Sequence, residues 1–187
     1  MALKSTIYKA QLQIADMDRQ LYADHSLTLA QHPSETDERL MMRVLAFALH
    51  VPPDDHDGAL EFGKGLSDTD EPDLWRRNLT GEIEHWIDLG QPDDRRLVRA
   101  AGRSRRVTVL GYHASLPIWW KAIAGKLTRL SNLDVWAIDP AHSQALAELT
   151  QRTMQLQVTV QDGLVWIADA QHSIEIVPRR LSTHQGF

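Results

Sequence analysis

The chain has 187 residues, 43% of them hydrophobic and 24% charged, a balance that excludes wholesale disorder and leaves room for a sizeable core. Twenty basic against twenty-five acidic residues give a net charge of −5, so no global positive field gathers nucleic acid and any polyanion site must be a local patch. Cysteine is absent, which excludes disulfide scaffolds, thiolate metal sites and cysteine nucleophiles.

No apolar run reaches signal-peptide or membrane-span length, so the expectation is a soluble cytoplasmic protein with no membrane partner. Apolar Tyr8, Ala10, Leu12 and Ile14 alternate with polar Lys9, Gln11 and Gln13, the period of a half-buried strand. A turn at Asp16-Met17-Asp18 and a second strand over residues 21–29 make an opening hairpin. Ser34 and Asp37 then read as a capping box with Asp in place of Glu, followed by Leu40, Met41, Val44, Leu45, Ala48 and Leu49 at helical spacing. Pro52-Pro53 ends that helix.

Short extended pieces follow over residues 60–62, 72–75 and 82–89. Pro92 with Asp93 and Asp94 opens a helix over residues 92–102. Strands at 107–112 and 133–138 alternate with helices at 117–130 and 141–152. Asp162-Gly163 between alternating runs marks a closing hairpin, and residues 173–177 a last strand. The expectation is one α/β domain over residues 1–187, with hairpins at both ends that could share a sheet.

Several motifs are decoys. Gly58, Gly63 and Lys64 have the spacing of a phosphate-binding loop, but Gly65 stands where Ser or Thr should hold magnesium, and Pro72 comes too soon for the helix. None of the nine histidines forms a zinc-helix pair, so no zinc site is assigned. Ser104, between Arg103 and Arg105, has no base in the sequence, and no nucleophile elbow occurs.

The carboxylates carry more. Asp73 follows Pro72 at the start of one short strand, and Asp88 lies near the end of the next. If those strands are antiparallel neighbours, the two acids meet at one edge and can hold Mg²⁺ or Mn²⁺, with Glu38 as a third oxygen ligand. Such an ion polarises a phosphoryl oxygen and acidifies a bound water. Against this stands the plainer reading that both acids cap turns or pair with arginines. Downstream, Arg95, Arg96, Arg99, Arg103, Arg105 and Arg106 occur without an intervening acid. Arg95, Arg99 and Arg103 fall on one helical face, a contact for phosphates or a solvated face paired with nearby acids.

Four segments in order, Phe62-Gly63-Lys64-Gly65-Leu66-Ser67, Glu71-Pro72-Asp73-Leu74-Trp75, Trp86-Ile87-Asp88-Leu89-Gly90-Gln91-Pro92 and Gly102-Arg103-Ser104-Arg105, resemble the YaeQ family of small bacterial proteins. That family resembles the PD-(D/E)XK nuclease superfamily. The resemblance implies a restriction-endonuclease-like α-β-β-β-α-β core over about residues 34–112, with added hairpins at the N- and C-terminal ends. It implies that Asp73 is the aspartate of the Pro-Asp element, Asp88 the second acid and Glu38 the first-helix acid, with magnesium or manganese as cofactor. The pattern departs two positions after Asp88, where Gly90 stands in place of lysine; Gln91 and Lys64 are the candidate substitutes.

Two functions follow as expectations. One is a metal-dependent phosphodiesterase acting on nucleic acid, with Asp73 and Asp88 holding the metal, Lys64 or Gln91 assisting, and Arg95, Arg96, Arg99, Arg103 and Arg105 on phosphates. The other is a catalytically inactive module of the same fold that binds nucleic acid or a protein partner. Trp119 and Trp120 could mark a partner surface, though aromatics on an amphipathic helix usually pack into the core.

Overall fold

The computed structural model describes residues 4–64, 66 and 68–182; Gly65 and Ser67 of the glycine-rich segment lie outside the described residues. In chain order the elements are β1 (Thr6–Asp16), β2 (Leu21–Gln31), α1 (Asp37–His50), β3 (Leu60–Phe62), β4 (Leu74–Arg77), β5 (Ile83–Leu89), α2 (Asp94–Arg103), β6 (Ser104–Gly111), α3 (Leu116–Ile123), β7 (Leu133–Ala137), α4 (Pro140–Ala147), β8 (Thr153–Gln161), β9 (Leu164–Ala168), β10 (Ser173–Ile176) and β11 (Arg179–Arg180). The fold is mixed α/β, with two mixed sheets and four helices among the described residues. The chain forms two compact units. One comprises the chain up to Leu49 with Ala141–Pro178, the other His50–Pro140 with the chain from Arg179.

In the first unit the two terminal hairpins share one sheet of order β10-β9-β8-β1-β2. β1 pairs antiparallel with β2 and parallel with β8, with Leu12 opposite Leu156 and Ile14 opposite Val158. The alternation of the sequence becomes the two faces of this sheet: Ala10, Leu12, Ile14, Leu27, Leu29, Met154, Leu156 and Val158 are buried. Asp162 and Gly163 both take positive φ in the β8–β9 turn, and their N–H groups donate to the Asp18 carboxylate at 2.8 and 2.9 Å. One turn thus fixes the other.

α1 starts differently from the sequence expectation. The cap is Thr36, whose hydroxyl accepts from Arg39 N at 3.1 Å and whose carbonyl accepts from Leu40 N at 3.0 Å. Ser34 instead bonds the His32 ring. The helix is buried all round from Leu40 to Ala48, including Arg43, whose guanidinium is bidentate on Glu35 at 2.9 and 2.7 Å.

The second unit is built on a sheet of order β11-β7-β6-β5-β4-β3. β3, β4 and β5 form an antiparallel meander; α2 carries the chain to β6, parallel to β5, and α3 carries it to β7, parallel to β6. One face of the sheet packs Trp86, Val107, Val109, Leu133 and Val135 with Leu97 and Ala100 of α2 and Ile123 of α3. Trp119 and Trp120 are half-buried and packed on this core, and Trp119 Nε1 donates to Pro92 O at 3.0 Å. Several expected bounds shift. β4 begins beyond the Pro-Asp pair, and α3 stops at Ile123, giving way to a 3₁₀ turn (Ala124–Lys126) that contains Gly125. α4 ends at Ala147, and β6 starts directly at the end of α2. The short edge strand β11 had no sequence signal.

Candidate functional site

The site is assembled where the β3–β4–β5 meander meets α2. β3 ends at Phe62, and Gly63 N donates to Asp73 O at 3.0 Å. A Cβ on Gly63 would stand 2.0 Å from Pro72 O, so glycine is what lets the strands close here. β4 and β5 pair with Leu74 opposite Ile87 and Trp75 opposite Trp86. One step further along that register sets Asp73 opposite Asp88, on the Trp75 and Trp86 face of the sheet. The strands are antiparallel neighbours, the condition under which the two acids were expected to face each other.

Their partners define the chemistry. Asp73 is buried, and its Oδ2 accepts from Leu89 N at 2.7 Å, which holds the end of β5. Asp88 is 2% exposed, and both of its oxygens accept from Arg96: Oδ2 from Nε at 2.8 Å, Oδ1 from Nη2 at 2.9 Å. Arg96 sits in the first turn of α2, where its N–H donates to the capping carboxylate of Asp93 at 2.7 Å. Its guanidinium also donates to Thr69 O, and to Glu71 O at 2.9 Å, and lies 5.4 Å from the Trp86 ring centroid. The hydrogen bond to Asp88 is the main reason its pKa is raised above the usual arginine value.

The remaining candidates lie with other partners. Lys64 Nζ is 3.8 Å from both Asp68 Oδ2 and Glu71 Oε1, and its side chain is 68% exposed. Gln91 Nε2 donates to Ser115 Oγ at 2.8 Å. Glu38 belongs to the first unit, where its Oε1 accepts from Ser143 Oγ at 2.5 Å. Gly90, two positions after Asp88, has φ of 87°, in a region that L side chains rarely adopt. The turn that ends β5 requires glycine there.

A hard divalent ion takes six or more oxygen ligands, several of them water for magnesium. Both Asp88 oxygens are already used by a guanidinium, and one Asp73 oxygen by a backbone N–H. Among the described residues no group of three or more His, Asp or Glu side chains is arranged to hold a metal. The pair as it stands does not fit such an ion; it fits the arginine it has.

The arginine run divides in two. Arg96 is committed to Asp88; Arg105 pairs with Glu84 at 3.3 Å and Glu82 at 3.4 Å, and Arg106 with Asp134 at 3.2 Å. Arg95, Arg99 and Arg103 are exposed and have no acidic partner among the described residues. Of the acids nearest in sequence, Asp93 caps α2 and Asp94 pairs with Lys126 at 3.4 Å. Arg103 lies 5.6 Å from the Trp86 ring centroid. On the opposite face of β5, buried His85 bonds Thr108 Oγ1 at 2.8 Å and meets the His50 ring edge-on at 5.1 Å. Burial first, then Arg106 and Arg76, push its pKa down to about 3.

A family model described as YaeQ protein matches residues 1–178. The chain belongs to the YaeQ family. Over 177 residues it is 44% identical to the YaeQ protein of Salmonella typhi and 42% identical to that of Escherichia coli, covering 94% of this chain and 95% of each relative. Among solved structures, the YaeQ protein from Xanthomonas axonopodis pv. citri is 51% identical with a TM-score of 0.89, covering 94% of this chain and 97% of that one. The YaeQ protein from Pseudomonas syringae is 35% identical, also with a TM-score of 0.89, covering 97% and 98%. Among the described residues no helix is long and apolar enough to cross a membrane.

The plainer sequence reading, that the acids pair with arginines, holds for Asp88, though it did not single out Arg96. The pair is separated by a strand end, a turn and a helix start, a spacing no local pattern flags.

Proposed function

We propose that the chain is a nuclease-like module that binds the phosphate backbone of nucleic acid along α2, with its acidic pair closed by Arg96 and cleaving nothing while that contact holds. The element order α1-β3-β4-β5-α2-β6 is the order of a PD-(D/E)XK core, and Asp73, immediately before β4, faces Asp88 near the end of β5. One observation carries the binding: Arg95, Arg99 and Arg103, at helical spacing on an exposed face, have no acidic partner among the described residues. A net charge of −5 makes that patch local, so binding is weak away from it.

The test is fluorescence anisotropy on labelled single- and double-stranded DNA and RNA in EDTA, followed by incubation of the same substrates with Mg²⁺ and Mn²⁺. The expected result is binding without metal and intact substrate with either metal. Absence of binding at low salt overturns the reading and leaves a protein partner as the occupant of this face. Cleavage by the wild type restores the second reading, metal-dependent phosphodiester hydrolysis. That reading is favoured by the register of Asp73 and Asp88, where a divalent ion would supply phosphoryl polarisation and an acidified water.

A further inference from the structure

Arg96 joins the end of β5 to the segment that leads to Asp73. Its guanidinium holds both oxygens of Asp88 on β5 and the carbonyls of Thr69 and Glu71, in the segment that leads to Asp73. The acid is 3% exposed at its side chain and the arginine 22%, so the carboxylate is shut in and the guanidinium remains reachable from solvent.

We propose that Arg96 is a latch: it excludes divalent cations from the Asp73–Asp88 pair and holds residues 68–71 on the end of the sheet, so that opening the pair to a cation and releasing that segment are one event. The proposal rests on the reading of the pair as nuclease-like, and it concerns this chain's own arginine. With Asp88 2% exposed and each of its oxygens held by the guanidinium, a cation at that carboxylate competes with a charge-assisted, bidentate hydrogen bond. Its displacement removes the donors on Thr69 O and Glu71 O, because one planar group supplies all four contacts. Phosphate is the natural competitor for that group, since it takes a guanidinium in the same bidentate geometry as a carboxylate. Arg96 also stands one residue from Arg95 and three from Arg99, the face on which phosphate is proposed to land.

The experiment is calorimetric titration of Mn²⁺ into the full chain, comparing wild type, Arg96→Gln, Arg95→Gln and the double variant R96Q/D88N. Limited proteolysis by an enzyme that cuts before aspartate, read at Asp68 and Asp70, runs alongside. The expected result is no saturable Mn²⁺ binding below millimolar for wild type and R95Q, binding at least tenfold tighter for R96Q, and its loss in R96Q/D88N. Cutting before Asp68 and Asp70 is expected to rise at least tenfold in R96Q. Wild type binding Mn²⁺ as tightly as R96Q overturns the exclusion. A folded R96Q that binds no Mn²⁺ overturns the pair as a latent cation site, and an unchanged cutting rate overturns the link to the segment.

Should R96Q fail to fold, Arg96→Lys retains the charge without the planar fork. It is expected to keep Mn²⁺ out and to be cut faster, and wild-type cutting there overturns the segment half. Loss of nucleic-acid binding in EDTA bears on the function proposed above and leaves these outcomes as they are.

Discussion

At the scale of single residues, Gly90 is fixed by its backbone. A φ of 87° ends β5 and directs the chain toward α2, and a lysine there would be strained whatever space it found. The cation beside Asp88 comes from α2, where Arg96 holds both carboxylate oxygens. Because Asp88 is buried, replacing Arg96 with Gln leaves a carboxylate without its cation. The expected cost is about 3 kcal/mol in urea unfolding, of which Asp88→Asn in the same chain should restore a part. Additive losses in the double variant would show that the two side chains are not coupled.

His85 gives a separate pH dependence. With its pKa lowered from 6.5 to about 3, it stays neutral in the folded state while the unfolded chain takes up a proton below pH 6.5. Its contribution is therefore complete above pH 6.5 and is lost progressively as the pH falls towards 3. Between pH 7 and pH 5 the loss is about 2 kcal/mol. Urea unfolding at both pH values should show that difference shrinking by this amount in His85→Gln; an equal drop in both proteins contradicts the assignment.

At the scale of elements, alternation and turn chemistry were legible because each is local. The strands of both hairpins, the Asp162-Gly163 turn and the apolar stripe of α1 follow from periods of two and 3.6. The helix start was misread because Ser34-x-x-Asp37 mimics a capping box, whereas Thr36 stands at the true boundary. Thr36→Ala is expected to cost about 1 kcal/mol and Ser34→Ala a few tenths, measured by thermal unfolding. The reverse order would restore the cap to Ser34. The facing of Asp73 and Asp88 was legible because an antiparallel pair makes strand starts meet strand ends. Which arginine pairs with Asp88 was hidden, since Arg96 reaches it by tertiary packing of α2, and the basic run read equally well as phosphate contacts or as a solvated face paired with acids. Folding divides that run into Arg96, Arg105 and Arg106, bound to acids, and Arg95, Arg99 and Arg103, which face solvent.

At the scale of the whole molecule, the two hairpins far apart in sequence build one sheet through the parallel β1–β8 pairing, and the middle of the chain with the last strand, β11, builds another. Two hairpins were legible separately; their shared sheet was only one option, because parallel pairing over so long a separation leaves no mark in either strand. The division of the chain into two compact units was likewise hidden, since α1 and β3 belong to different units across the short Pro52-Pro53 connection. Acids beside a basic helix were legible as residue types, while which arginine closes Asp88 depends on how α2 packs.

The most direct test of the nucleic-acid reading is the salt dependence of binding in EDTA for wild type and the triple variant R95Q/R99Q/R103Q. Three phosphate contacts give a slope of log K against log salt of about −2.7 on a duplex, or about −2 on a single strand. The wild type is expected to bind with a slope of at least that steepness, and the folded triple variant to lose most of both slope and affinity. Equal slopes and affinities in the two proteins would contradict the account, since α2 would then carry none of the contact.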